Sequence, residues 1–130
     1  MFETRPLPLQ PDVQAPDGSD VRILLRLDGG SMAHFELAAG RTSIAVAHRT
    51  VEEIWYIVGG GGEMWRRDAE GESITPLEPG VCLTIPLGVS FQFRSLGPGP
   101  LTAVAITMPP WPNTDGEAYP VEGAWPPSLQ

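Results

Sequence analysis

Two glycine-bounded stretches decide the fold of this chain: GRTSIAVAHRTVEEIWYIVGG, residues 40–60, and GVCLTIPLGVSFQFRS, residues 80–95. Each contains two candidate strands separated by a short turn. Successive side chains of a strand point to opposite faces, so residues two apart share a face. This rule groups His48 with Val46, and Glu53 with Trp55. The first stretch therefore predicts strands that carry one ionisable side chain each among apolar neighbours.

The rest of the chain has the same organisation. Fifteen glycines and fifteen prolines divide it into short pieces, and no stretch sustains a 3.6-residue apolar period. The pattern predicts an all-β domain, with strands at Val21–Leu27, Met32–Leu37, Ser43–His48, Glu53–Val58, Gly62–Arg67, Ser73–Leu77, Val81–Ile85, Ser90–Arg94 and Leu101–Met108. Short strands at this regular spacing favour a jelly-roll barrel or a sandwich.

The two stretches resemble the two motifs of the cupin family, G-x5-H-x-H-x(3 or 4)-E-x6-G and G-x5-P-x-G-x2-H-x3-N. Both frames are kept without insertion or deletion. Three motif positions differ, because Val46 and Phe91 stand where the family has histidines and Ser95 where it has asparagine. Of the four metal ligands that the resemblance implies, His48 and Glu53 remain. A pair of ligands is a weak site for a transition metal, since most such sites draw on three or four protein ligands.

The resemblance implies a single antiparallel jelly-roll β-barrel, often dimeric, so a homodimer is expected. At 130 residues the chain suits one domain. We predict an irregular proline-rich arm at 1–20, the barrel at 21–108, and a tail at 109–130 that packs its aromatic residues on the barrel.

Charge and composition exclude several classes of partner. The net charge is −8, and all eight basic residues are arginines, so the basic footprint of a nucleic-acid-binding protein is missing. Neither a signal-peptide core nor an apolar run of membrane-spanning length is present. We therefore expect a cytoplasmic protein with no nucleic-acid or membrane partner. The single cysteine, Cys82, excludes an internal disulfide framework.

Our first functional hypothesis is a small-molecule-binding cupin with a degenerate metal site. Its apolar barrel pocket would bind a small organic molecule, with His48 and Glu53 as polar anchors or as acid and base. The other expected contacts to the ligand come from side chains on the same faces of the strands: Val46, Trp55, Phe91 and Phe93.

The alternative is a metal-dependent enzyme of dioxygenase, isomerase or lyase type. In it, His48, Glu53 and a recruited third ligand such as His34 hold one divalent transition metal ion. The two hypotheses together predict either no cofactor or one divalent transition metal ion. A purely structural role for Glu53, as an ion-pair partner of Arg49, is also open. Trp65 and Trp111 are assigned to core packing, and Gln92 to a surface or an interface.

Overall fold

The computed structural model describes residues 1–128 and contains strands and loops only. Within this range no helix is long and apolar enough to cross a membrane. The strands are β1 (Val13–Gln14), β2 (Asp20–Leu27), β3 (Gly30–Leu37), β4 (Val46–His48), β5 (Glu52–Gly59), β6 (Gly62–Asp68), β7 (Gly71–Leu77), β8 (Cys82–Ile85), β9 (Ser90–Ser95), β10 (Leu101–Met108) and β11 (Ala118–Pro120).

The strands form two sheets in which every pairing is antiparallel. The first sheet has the order β1-β2-β3-β10-β5-β8, and the second has the order β11-β4-β9-β6-β7. The all-β jelly-roll prediction is confirmed. All nine predicted strands are present, and β1 and β11 are additional.

Aromatic side chains fill the space between the sheets. Trp55 on β5 is buried, and its ring stacks on Phe35 with centroids 5.0 Å apart. From the second sheet, Phe93 and Phe91 meet the same indole edge to face at 5.1 and 6.4 Å. Contacts between aromatic rings of this geometry contribute beyond their buried area. This cluster fills part of the barrel interior between the two sheets.

The tail is fixed to the outer face of the second sheet. Gln92 points away from the core phenylalanines, and its side-chain amide donates to the backbone oxygens of Ser43 at 2.9 Å and Trp125 at 2.8 Å. The NH of Trp125 donates back to Gln92 at 3.0 Å. Gln92 is therefore buried beneath the tail and not at the protein surface, because the tail satisfies its amide in place of water.

One glycine makes this close approach possible. A Cβ at Gly123 would overlap the side chains of Gln92 and Ala45. Next to it, β11 pairs with β4, and the guanidinium of Arg94 lies 4.1 Å from the ring centroid of Trp125. The tail is thus part of the folded domain.

Candidate functional site

A cavity of about 340 Å³ lies between the sheets, above the aromatic cluster. One wall comes from β2 and β3, and the opposite wall from His48 and Phe91 of the second sheet. Residues 13–17 of the N-terminal segment and Trp111 of the tail close its sides. The volume is at the small end of the range of about 300–1,000 Å³ for small-molecule sites.

A row of polar side chains crosses the cavity wall of the first sheet. Ser31, Thr107 and Glu53 are register partners on β3, β10 and β5. The hydroxyls of Ser31 and Thr107 are hydrogen-bonded to each other, and the NH of Trp111 donates to the Ser31 hydroxyl at 3.0 Å. Register partners share a face of the sheet, so the row faces the interior as Trp55 does.

Glu53 is almost fully buried, with 3% of its surface exposed. Its Oε1 accepts a hydrogen bond from the indole nitrogen of Trp55 at 3.0 Å. Burial raises the pKa of Glu53 to about 7, with a further increase from the charge of Asp17, against the opposing effect of the Trp55 hydrogen bond. A carboxyl with this pKa exists in both protonation states near neutral pH, so it can donate or accept a hydrogen bond.

His48 is buried between two aromatic rings. Its ring meets those of Phe91 and Trp111 edge to face, at 5.3 and 5.1 Å between centroids. Burial lowers the pKa of His48 to about 4, against the weaker effect of the Glu117 carboxylate, so the ring is neutral at pH 7. Its Nδ1 is sealed from solvent without a hydrogen-bond partner among the described residues.

Neither a hydrogen bond nor an ion pair joins His48 to Glu53 among residues 1–128. The ion pair of Glu53 with Arg49, which was the structural alternative, is also not formed among these residues. Arg49 donates to the backbone oxygen of Gly116 at 2.8 Å and lies 4.5 Å from the ring centroid of Tyr119. His48 and Glu53 are therefore two separate polar groups on opposite walls, each with capacity to bind a ligand.

Asp17 is a buried carboxyl at the cavity that the sequence analysis did not assign. Its Oδ1 accepts from the NH and the hydroxyl of Ser19, at 2.9 and 2.6 Å. Burial raises the pKa of Asp17, while the Ser19 hydrogen bonds lower it. The Asp-Gly-Ser sequence predicts a turn of this kind. Only the folding of residues 13–17 over the barrel brings it close to Glu53.

The predicted ligand contacts separate into two groups. Phe91 lines the cavity together with His48 and Glu53. Val46, Trp55 and Phe93 are buried in the core beneath, where they pack against one another and do not form the cavity wall. Trp111, assigned to core packing, instead lines the cavity because the tail crosses its opening.

His34 does not join this site. It alternates with the cavity-lining residues Ala33 and Phe35, so it lies on the outer face of the first sheet. There it pairs in register with Arg22, whose charge, after burial, helps to lower the pKa of His34. No group of three or more His, Cys, Asp or Glu side chains suited to a metal ion exists among the described residues. The donor set present does not fit a transition metal held by three or four protein ligands.

No family sequence model and no curated protein sequence matches the chain, so its likeness to other proteins lies in structure. The capsular polysaccharide assembling protein CapF of Staphylococcus aureus superposes with a TM-score of 0.73 at 18% identity, over 92% of this chain and 35% of CapF. KdgF of a Halomonas species gives 0.62 at 17% identity, over 71% of this chain and 79% of KdgF. An uncharacterized double-stranded β-helix protein of Klebsiella pneumoniae gives 0.65 at 15% identity, over 95% and 97%.

These proteins share the cupin, or double-stranded β-helix, architecture, and the resemblance inferred from the two motifs is confirmed at the level of the fold. The chain has a cupin fold. It spans about a third of the length of CapF. Fold alone does not decide function, because different chemistries occur on one architecture.

Proposed function

We propose that this protein is a small-molecule-binding cupin that holds its ligand in the cavity without a resident metal. The observation that carries this proposal is the pair of buried polar groups, His48 and Glu53, on opposite walls of an otherwise largely apolar cavity. Glu53 can form hydrogen bonds beyond the one from Trp55, and the His48 Nδ1 has no partner among residues 1–128, so a ligand that bonds to either group gains free energy.

The two anchors differ in what they accept. The neutral ring of His48 lines the cavity and can accept a hydrogen bond at one nitrogen and donate at the other, and Glu53 offers a carboxyl that can donate when protonated. Between them, the rings of Phe91 and Trp111 supply flat apolar surface. These features favour a ligand with a planar apolar body and polar atoms at its edge.

A protein-observed NMR titration with a fragment library tests the proposal. We expect aromatic fragments to shift the signals of His48 and Trp111. Ala33→Phe places a ring in the cavity wall and is expected to abolish these shifts, whereas Ala69→Phe, on an exposed hairpin turn, is a matched control that leaves them intact. Shifts that persist in Ala33→Phe, or a library with no cavity binder, would contradict the proposal.

Elemental mass spectrometry of untagged protein distinguishes the metal-dependent enzyme. Two of the four ligands implied by the cupin motifs, His48 and Glu53, face the same cavity, which is the observation in favour of this alternative. We expect substoichiometric metal that chelation removes without loss of stability. Near-stoichiometric Fe, Mn, Ni, Cu or Zn would reverse the order of the two hypotheses.

We also expect a homodimer. The outer face of the first sheet carries Ile54, Tyr56 and Val58 on β5, and these side chains are 41, 52 and 48% exposed. Apolar side chains of this size on a sheet face favour burial against a second copy. Light scattering after size exclusion measures the mass, and Tyr56→Glu is expected to shift a dimer toward monomer.

A further inference from the structure

We propose that the cavity selects small organic carboxylates with an aromatic or other apolar body, and that Arg26 at its opening binds the carboxylate. This inference rests on the proposed function and names the class of ligand that the site takes. Among residues 1–128, Arg26 is the one arginine that lines the cavity, and the histidine that lines it, His48, is neutral.

Arg26 is available for a ligand because nothing else in the described chain binds it. The other seven arginines each form a hydrogen bond, an ion pair or a cation–π contact: Arg5, Arg22, Arg41, Arg49, Arg66, Arg67 and Arg94. Within residues 1–128, no such contact involves Arg26. The protein has a net charge of −8, so an unpaired guanidinium is a local exception on an acidic molecule.

A β-bulge directs Arg26 to the interior side of the sheet. Ile23 is the register partner of Ala33, and Arg26 is the partner of Ser31, so three steps along β2 match two along β3. Simple alternation from Ile23, which lines the cavity, would point Arg26 outward. Because β2 has one extra residue here, the alternation is reversed, and Arg26 lies on the same face of the sheet as Ile23. Bulges that redirect a side chain are common beside binding sites.

The bulge also extends the polar row of the wall. Arg26 follows Ser31, Thr107 and Glu53 in register across β2, β3, β10 and β5. Three strand spacings of about 4.8 Å separate the backbones of Arg26 and Glu53 by about 14 Å. A ligand whose carboxylate binds Arg26 therefore has room to extend its apolar body toward Glu53, at the deep end of the cavity.

The deep end tolerates an anionic ligand. Burial keeps His48 neutral, and it favours the protonated forms of Glu53 and Asp17. The positive charge that a carboxylate requires is at the opening, where guanidinium and carboxylate form paired charge-assisted hydrogen bonds. A ligand that carried a positive charge would instead be repelled at this opening.

Three probes that share a phenyl ring on a three-carbon chain test the inference: 3-phenylpropanoate, 3-phenylpropanamide and 3-phenylpropylamine, with Kd measured by calorimetry or tryptophan fluorescence. We expect the acid to bind at least about tenfold more tightly than the amide, and the amine to bind most weakly. Arg26→Gln should remove the preference for the acid. Arg67→Gln, which removes the same charge from an arginine at the far hairpin, should retain it.

The outcomes separate this inference from the proposed function. If the amide or the amine binds in the cavity as tightly as the acid, or if Arg26→Gln keeps the preference, the carboxylate assignment is wrong while small-molecule binding stands. If none of the three probes shifts the NMR signals of the cavity and the fragment library also gives no cavity binder, both fail. Because Arg26 is exposed, Arg26→Gln should keep the thermal stability of the native protein. A loss of selectivity in this stable variant then reports on the side chain of Arg26 and not on unfolding.

Discussion

Replacing Glu53 by glutamine is expected to stabilise the protein, and to do so more strongly as the pH rises. The substitution keeps the size of the side chain and an oxygen that can accept the 3.0 Å hydrogen bond from Trp55. It removes only the ability to ionise. The magnitude follows from the pKa of Glu53, which rises from 4.5 to about 7 on folding, mainly through burial.

The direction follows from the protons bound in each state. Well below pH 4.5 both the folded and the unfolded chain hold the proton, and Glu53 causes no difference. Between pH 4.5 and about 7 the unfolded chain loses it first, so the native protein is progressively destabilised as pH rises. Above that range the native protein is destabilised by the full amount. A pKa difference of this size between the folded and unfolded states corresponds to about 3 kcal/mol.

Urea unfolding of both proteins at pH 5 and pH 8 measures this effect. We expect Glu53→Gln to exceed the native protein in free energy of unfolding by about 1 kcal/mol at pH 5 and about 3 kcal/mol at pH 8. His48 is present in both proteins, so its own protonation cancels to a first approximation. Glu70→Gln, on an exposed turn, is the control and should change neither value by more than about 0.5 kcal/mol. An equal difference at the two pH values would refute the assigned burial of an ionisable Glu53.

The remaining predictions concern the tail, His48 and Phe91. Gly123→Ala should destabilise by about 1–3 kcal/mol in urea unfolding because its Cβ overlaps the Gln92 side chain, whereas Gly29→Ala, with open space around it, should be close to neutral; equal effects would contradict the tight tail contact. An NMR titration of His48 should show a neutral ring down to about pH 5, and a midpoint near 6.5 would contradict its burial. Phe91→His places a second imidazole beside His48 and should raise Ni²⁺ affinity at least about tenfold by calorimetry; unchanged affinity would mean that Phe91 does not occupy the ligand position implied by the cupin motif.

The sequence predicted much of the fold because the relevant signals are local. Period-two alternation in the stretch with Glu53 and Trp55 is a property of neighbouring residues, and glycine and proline mark the turns between strands. The two short strands β1 and β11 escaped prediction. They have two and three residues, and they exist because β2 and β4 offer them an edge to pair with.

The candidate site was predicted only in part. His48, Glu53 and Phe91 were found because a motif frame marks their positions. Whether Trp55 lines the cavity or closes it from below depends on its stacking with Phe35, which lies twenty residues away in sequence. That contact forms by packing between strands, and the local sequence pattern does not predict it.

The cupin architecture could be predicted from the sequence, as could the presence of Val46 and Phe91 at two positions where the cupin motifs have histidines, because both follow from residue type and spacing along the chain. The positions of Asp17 and Trp111 at the cavity, of His34 on the outer face and of Arg26 at the cavity opening became evident only in the folded protein. The physical reason is that these outcomes depend on long-range pairing. A segment far away in sequence folds over the cavity, and one extra residue in β2 inverts the side-chain parity, which no local propensity encodes.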